Sequence, residues 1–333
     1  MTILIIFFGF IFAAILQYAR LNKFDVITGL ALRENLAVAK AIALAIGIGA
    51  IILNVEIALG FAAYHVKPFV FGGLLLGGVI FGSGMAILGY CPGTLAISAG
   101  EGSLDAIIGM IGGLVGGVVY TLLLPVVSPL LGPKCGTFSL YSLTGGNILF
   151  YILLLFIGVS FVALSFWLHK IDKNKEKQWV YSGIALAVLN AIVFLSATTG
   201  RPIGASTTFP YVGDLLTGFT ANNYFSKIRT PGNWELYFLS GAFLAGVVIS
   251  LIKKDFKITL IHNNWKKQKN NSNGNRSFWA FVGGFILIFG ARMAGGCTSG
   301  HILSGGMQLA FSSLFFAVFV FVGLLVTGKL FYK

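Results

Sequence analysis

Nine apolar runs punctuate the chain, at 2–18, 36–62, 68–88, 104–125, 147–168, 179–197, 235–252, 277–293 and 308–331. Each is close to the length of about twenty residues that a helix needs to cross a hydrocarbon core of about 30 Å. Polar and charged segments separate them, so the pattern predicts nine spanning helices with short connections. Two of the runs break in the same manner. The third leads through 69–88 into Gly89-Tyr90-Cys91-Pro92-Gly93-Thr94 and resumes as a short apolar piece, 95–99. The eighth is soon followed by Gly295-Gly296-Cys297-Thr298-Ser299-Gly300. Two of the three cysteines therefore hold equivalent places in the two halves of the chain.

Around these breaks each half has the same order. A span is followed by a short apolar interruption (24–32, then 201–218), a second span, a span ending in Gly-x-Cys, a short helix and a last span. The fifth run is the odd one and reverses the second half relative to the first. The pattern predicts an inverted-topology repeat, with 1–146 as the first copy, 147–178 as a linking span and basic loop, and 179–333 as the second. Such repeats place their substrate near the midplane, on discontinuous helices that face one another. Within the fourth run Gly109, Gly113 and Gly117 share one helical face, a mark of close helix contact.

Composition narrows the class. The chain of 333 residues is 57% hydrophobic and 10% charged, where soluble domains carry about 25% charged residues. An all-α polytopic membrane protein is expected, with the lipid bilayer as its surroundings. The first run has no basic n-region and no small-residue cleavage site, so it reads as a span rather than a signal peptide. The net charge of +13 lies between spans and indicates membrane orientation, not nucleic acid. Seventeen of the 23 Lys and Arg residues fall on one side if the N-terminus is outside and the C-terminus is cytoplasmic. The segment 253–276 is basic and rich in asparagine (Asn263, Asn264, Asn270, Asn271, Asn273, Asn275) and reads as a mobile cytoplasmic linker. Three separated cysteines make no disulfide framework, and no cluster of metal-ligand spacing or nucleotide-binding loop is present. No cofactor, no metal and no ATP hydrolysis are expected.

The chemistry concentrates at the breaks. Pro92 suits the first turn of a new helix, and Gly93 lets backbone approach a ligand. Free N–H groups there, with the Thr94 hydroxyl, would face whatever sits beside Cys91. Cys297, Thr298 and Ser299 offer the same arrangement from the other half, so two helix starts could hold an anion without a basic side chain. Cysteine adds a weak S–H donor and a soft, polarisable sulfur, which suits a sulfur-containing partner better than a hard oxyanion. Gly204 and Ser206, within Arg201-Pro202-Ile203-Gly204-Ala205-Ser206-Thr207, suggest backbone exposed to a path. Asp25 sits in the matching interruption of the first half, where it could gate, bind a proton or face cytoplasmic water. Arg292, at the end of a span, is a functional candidate because arginine is costly in a bilayer. His301 either lines the mouth of the same path or caps a short helix. Cys135 has no counterpart and is read as incidental.

These residues resemble a family. The segments 89–94, 200–207 and 295–301 are similar to those of the YeeE/YedE family of bacterial thiosulfate transporters, and the likeness runs through essentially the whole chain. The resemblance implies uptake of thiosulfate across the inner membrane, with its terminal sulfur passed along by S–H···S hydrogen bonds. By motif, Cys91 would be the central cysteine and Cys297 the outer one. It also implies a TusA-like sulfur carrier as a cytoplasmic partner. A third family cysteine follows the first span, and Asp25 is taken to stand in its place here. That leaves another species open: sulfide, polysulfide or a different sulfur oxyanion. A membrane-embedded thiol enzyme using Cys91 as nucleophile is the competing class, but no histidine or carboxylate lies near Cys91 in sequence to activate it. The expectation is therefore a permease, not an enzyme. A purely structural subunit would leave the repeated cysteine breaks without a purpose.

Overall fold

The computed structural model describes residues 1–269 and 271–332; Asn270 of the asparagine-rich linker and the basic Lys333 lie outside the described residues. The first half contains α1 (Thr2–Tyr18), α2 (Phe24–Ala31), α3 (Ala37–Ala58), α4 (Phe71–Leu88), α5 (Pro92–Gly100) and α6 (Leu104–Leu131). A short α7 (Leu140–Thr144) and the long α8 (Ile148–Ile171) join the halves. The second half contains α9 (Gln178–Phe194), α10 (Thr208–Thr217), α11 (Asn223–Ile252), α12 (Asn263–Gln268) and α13 (Asn273–Met293). A wide π-type turn (Thr298–Leu303), α14 (Ser304–Met307) and α15 (Phe311–Phe331) complete it. Among the described residues there are only isolated β-bridges and no strands. The all-helical membrane class is borne out.

Among the described residues seven helical stretches are long and apolar enough to cross a membrane. The helices α1 and α9, with 17 residues each, are shorter, about 25 Å at 1.5 Å per residue. The largest boundary difference is α11, which begins at Asn223, where the apolar run begins only at residue 235. Asn222 accepts a hydrogen bond from the Phe225 N–H, and Pro231 is carried inside the helix. Hydropathy finds the buried part of a helix, whereas its cap decides where it starts. Likewise α6 continues past Pro125 and Pro129 to Leu131.

The packing has an internal correspondence. At the centre α4 packs on α13, flanked by α15 against α4 and α6 against α13. Around them α1 packs on α11 as α9 packs on α3. Exchanging α1 with α9, α3 with α11, α4 with α13 and α6 with α15 maps these contacts onto one another. The short helices obey the same exchange, α2 lying on α15 and α10 on α6. Glycine makes the close crossings: a Cβ on Gly112 or Gly116 would strike the carbonyl of Phe281 or Phe285 on α13. The stripe seen in sequence lies alongside: Gly109 faces Leu88, Gly113 faces Ile288 and Gly117 faces Pro210, so it too is a helix contact.

Described residues of the linker anchor it to the bundle. Trp265 on α12 is fully buried, its ring 6.0 Å from Phe331. The Arg276 guanidinium lies over the same indole at 4.8 Å and pairs with Asp105 in complete burial. It also donates to the Ile87 and Leu88 carbonyls at 3.2 and 2.7 Å, which tie off the end of α4. One aromatic and one arginine thus outweigh the polar composition that suggests mobility.

Candidate functional site

The first break is made by backbone. Gly89 ends α4 in the left-handed region at φ +79°, and a Cβ there would meet the Phe24 ring, so only glycine fits. Pro92 then opens α5, with Cys91 as its cap in extended conformation. The Cys91 N–H donates to Thr94 Oγ1 at 2.8 Å. That hydroxyl in turn points back at the Cys91 carbonyl (3.1 Å) and sulfur (3.4 Å). The sulfur thus lies against a hydroxyl of its own helix start while it borders the cavity. Cys91 is half-buried, whereas Cys297 is only 1% exposed.

The second break departs from the first. Instead of a regular short helix, Cys297 leads into the π-type turn, whose His301 N–H donates to the Cys297 carbonyl at 2.8 Å. The His301 ring is wedged between the Ala294 carbonyl (Nε2, 2.9 Å) and Ser313 Oγ (Nδ1, 3.1 Å). A carbonyl only accepts, so the neutral ring carries its proton on Nε2 and accepts the Ser313 hydroxyl. His301 therefore braces the turn and has no nitrogen left for a ligand. The Cys297 sulfur lies 3.2 Å from Ser299 Oγ.

Both breaks line one cavity of about 60 Å³, room for a few water-sized groups. Cys91, Gly93 and Thr94 enter from α5, and Thr298 and Ser299 from the π-type turn. Cys297 stands one hydrogen bond behind that wall, through Ser299. The remaining wall is apolar, with Phe12, Leu16, Leu21, Ile27 and Met85 among its members. Asp25 is not among the lining residues. Its carboxylate accepts the Asn264 N–H at 2.8 Å, and the Asn264 amide donates to the Asp25 carbonyl at 3.0 Å. Asp25 thus caps α12 and fastens the linker to α2. On α2 it is Ile27 that faces the cavity.

Gly204, Ser206 and Arg292 belong to a second cluster. Arg292 donates to the Tyr224 hydroxyl at 2.9 Å, to Thr207 Oγ1 at 3.1 Å and to Ser206 Oγ at 3.5 Å. It holds the interruption before α10 by hydroxyls. Glu235, on α11, accepts the Thr207 N–H and stands against Gly204, where a Cβ would strike its carboxylate. The Arg201 guanidinium lies 4.7 Å over the Trp234 ring. From the loop before α4, half-buried Lys67 donates to the Gly295 carbonyl at 2.8 Å. Its ammonium fills the space a Cβ on Gly296 would need. Burial pushes Lys67 down to about 8.

A family model described as sulphur transport matches residues 19–326. The chain belongs to that family. A curated relative, the thiosulfate transporter TsuA of Spirochaeta thermophila, is 24% identical over 95% of this chain and 94% of its own. As a sulphur-transport protein the chain is a multi-pass membrane transporter rather than an enzyme, with the two cysteine breaks inside the matched region. Among the described residues no group of His, Cys, Asp and Glu could hold a metal ion. Sequence reasoning missed Lys67, Glu235 and the engagement of Arg201. One signal was available: Glu235 is an acidic residue at the head of an apolar run, where a charge needs a reason.

Proposed function

We propose that this protein imports thiosulfate across the bacterial inner membrane, with the N-terminus outside and the C-terminus in the cytoplasm. The observation that carries this reading is the shared cavity. Two motifs some two hundred residues apart supply its only thiol and hydroxyl groups: Cys91, Thr94, Thr298 and Ser299. In this reading the halves form an inverted-topology repeat, and the cavity lies at its midplane.

Outside the cavity, Lys67, Arg201 and Arg292 stand near a single carboxylate, Glu235, and leave two positive charges in excess. That excess matches a dianion. Thiosulfate first meets this cluster, passes Cys297 and Ser299, and then accepts the S–H of Cys91 with its terminal sulfur. The acceptor must be soft, because a thiol is a poor donor to a hard oxygen. On the cytoplasmic side the product would pass to a TusA-like carrier, which co-purification would test.

A second reading has its own support. The α2 end of the cavity is walled by Leu21 and Ile27 without a polar group, which favours a less hydrated sulfur species such as sulfide or polysulfide.

Uptake by proteoliposomes of thiosulfate labelled in its terminal sulfur decides between them. Intact label inside, lost with Cys91→Ala, supports thiosulfate. Uptake of sulfide or polysulfide alone would move the function to the second reading. Chemically altered label would point to a thiol enzyme instead.

A further inference from the structure

Asp214 is completely buried on α10. Its Oδ2 accepts the Thr121 hydroxyl at 2.9 Å, while its Oδ1 has no hydrogen-bond partner. The two helices packed against α10 are α6 and α11. From α11 the titratable group that faces Asp214 is Tyr224, and Tyr120 of α6 packs beside that ring at 5.6 Å. Arg292 is engaged with Tyr224, Thr207 and Ser206. Glu235 is bonded to the Thr207 N–H, and Lys227 and Arg229 are exposed on α11. The other acid of α6, Asp105, is paired with Arg276 at the far end of that helix. Among the described residues Asp214 makes no ion pair.

A charged carboxylate in that position is unpaired and half unsatisfied, and burying it costs far more than burying the neutral acid. Ionisable groups kept in this state within membranes are commonly proton carriers. The need for one follows from charge. An inside-negative membrane opposes the entry of every negative charge, and no nucleotide-binding loop in this chain supplies energy.

We propose that Asp214 is a proton-binding site that couples proton entry to anion uptake, one proton for each carboxyl per cycle. This rests on the thiosulfate-import reading above. In the orientation proposed above the proton arrives from the outer side, where residues 215–221 directly after Asp214 lie at the surface of the protein. It adds to a carboxylate oxygen, and the acid loses the proton again on the inner-facing side of the cycle. One proton halves the charge that a dianion carries inward. The coupling runs along α10. Its first residues hold Arg292 through Thr207, while Asp214 tethers the other end to α6 through Thr121. Protonation weakens that tether, because a neutral acid is a poorer acceptor than a carboxylate, and frees α10 to shift beneath the outer cluster.

The test uses the purified full chain in vesicles with a trapped pH dye. Thiosulfate added outside should acidify the lumen, and an inward proton gradient should raise the initial uptake rate several-fold. Asp214→Asn should abolish the acidification and bring the ratio of uptake with and without the gradient to one. Thr121→Val removes only the partner hydroxyl and should move the pH of half-stimulation upward by roughly one unit. It carries the test if Asp214→Asn does not fold. Acidification at the wild-type rate in Asp214→Asn, or an unmoved midpoint in Thr121→Val, overturns the proposal. Infrared titration without substrate separates this idea from the transport reading. A carboxylic-acid band absent from Asp214→Asn supports the proton site even if no thiosulfate enters, and no such band at any pH overturns it.

Discussion

A thiol is a weak donor unless something fixes its direction, and at Cys91 the Thr94 hydroxyl does so from the helix side. Replacing Cys91 with alanine removes the only thiol that lines the cavity; the other sulfur there, the Met85 thioether, has no proton to donate. Uptake should fall at least about tenfold, the effect of losing roughly 1.4 kcal/mol of transition-state interaction. Cys135→Ala should leave it unchanged, because that side chain is exposed and reaches only the Pro133 carbonyl, at 3.7 Å. Equal loss in both would show a general role in folding. Lys67 sets a pH limit. Burial lowers it to about 8, so its charge is present below that value and is lost as the outside pH rises through it. Initial uptake should decline over that range, and Lys67→Arg, charged throughout, should flatten the decline. An unchanged profile in Lys67→Arg would remove Lys67 from the capture step.

Among the elements, the linker carries the clearest surprise. Its composition reads as mobile, yet Trp265 is buried and α12 is capped by Asp25 from α2. Asp25→Ala should cost about 1 kcal/mol, as loss of a cap does. Amide exchange over 263–268 should quicken while the cavity stays intact. Asp25→Cys should retain thiosulfate uptake, since the position does not line the cavity. A dead but well-inserted Asp25→Cys protein would return the residue to the transport route. The breaks differ for reasons at this same scale. Pro92 starts α5 without needing an N–H partner, whereas His301, anchored at both ring nitrogens, widens the second turn.

Across the whole molecule, the buried pair of Asp105 and Arg276 joins the start of α6 to the end of α4 and the linker. Removing Arg276 leaves the buried Asp105 carboxylate with only Tyr90 and His262 beside it, and breaking a buried pair typically costs about 3–5 kcal/mol. Arg276→Met should therefore lower the melting temperature in detergent markedly, and Arg276→Met combined with Asp105→Asn should recover part of the loss. No recovery would mean that the carbonyl contacts of Arg276, rather than the ion pair, hold the region. The exchange of α4 with α13 and α6 with α15 places both cysteine breaks on the central helix pair. Both breaks therefore border one cavity.

The sequence by itself determined the membrane class, most helix positions, the two breaks and their place in a repeated order. Those features are local: apolar length, glycine spacing and a proline after cysteine act within a few turns of chain. Tertiary structure alone decided that Thr298 and Ser299 share a cavity with Cys91, and that Cys297 stands behind it. It also turned Asp25 toward α12, and it gathered Lys67, Arg201, Glu235 and Arg292 from four separate segments. A side chain's partners across the bundle depend on helix rotation and register, which packing sets after the helices have formed.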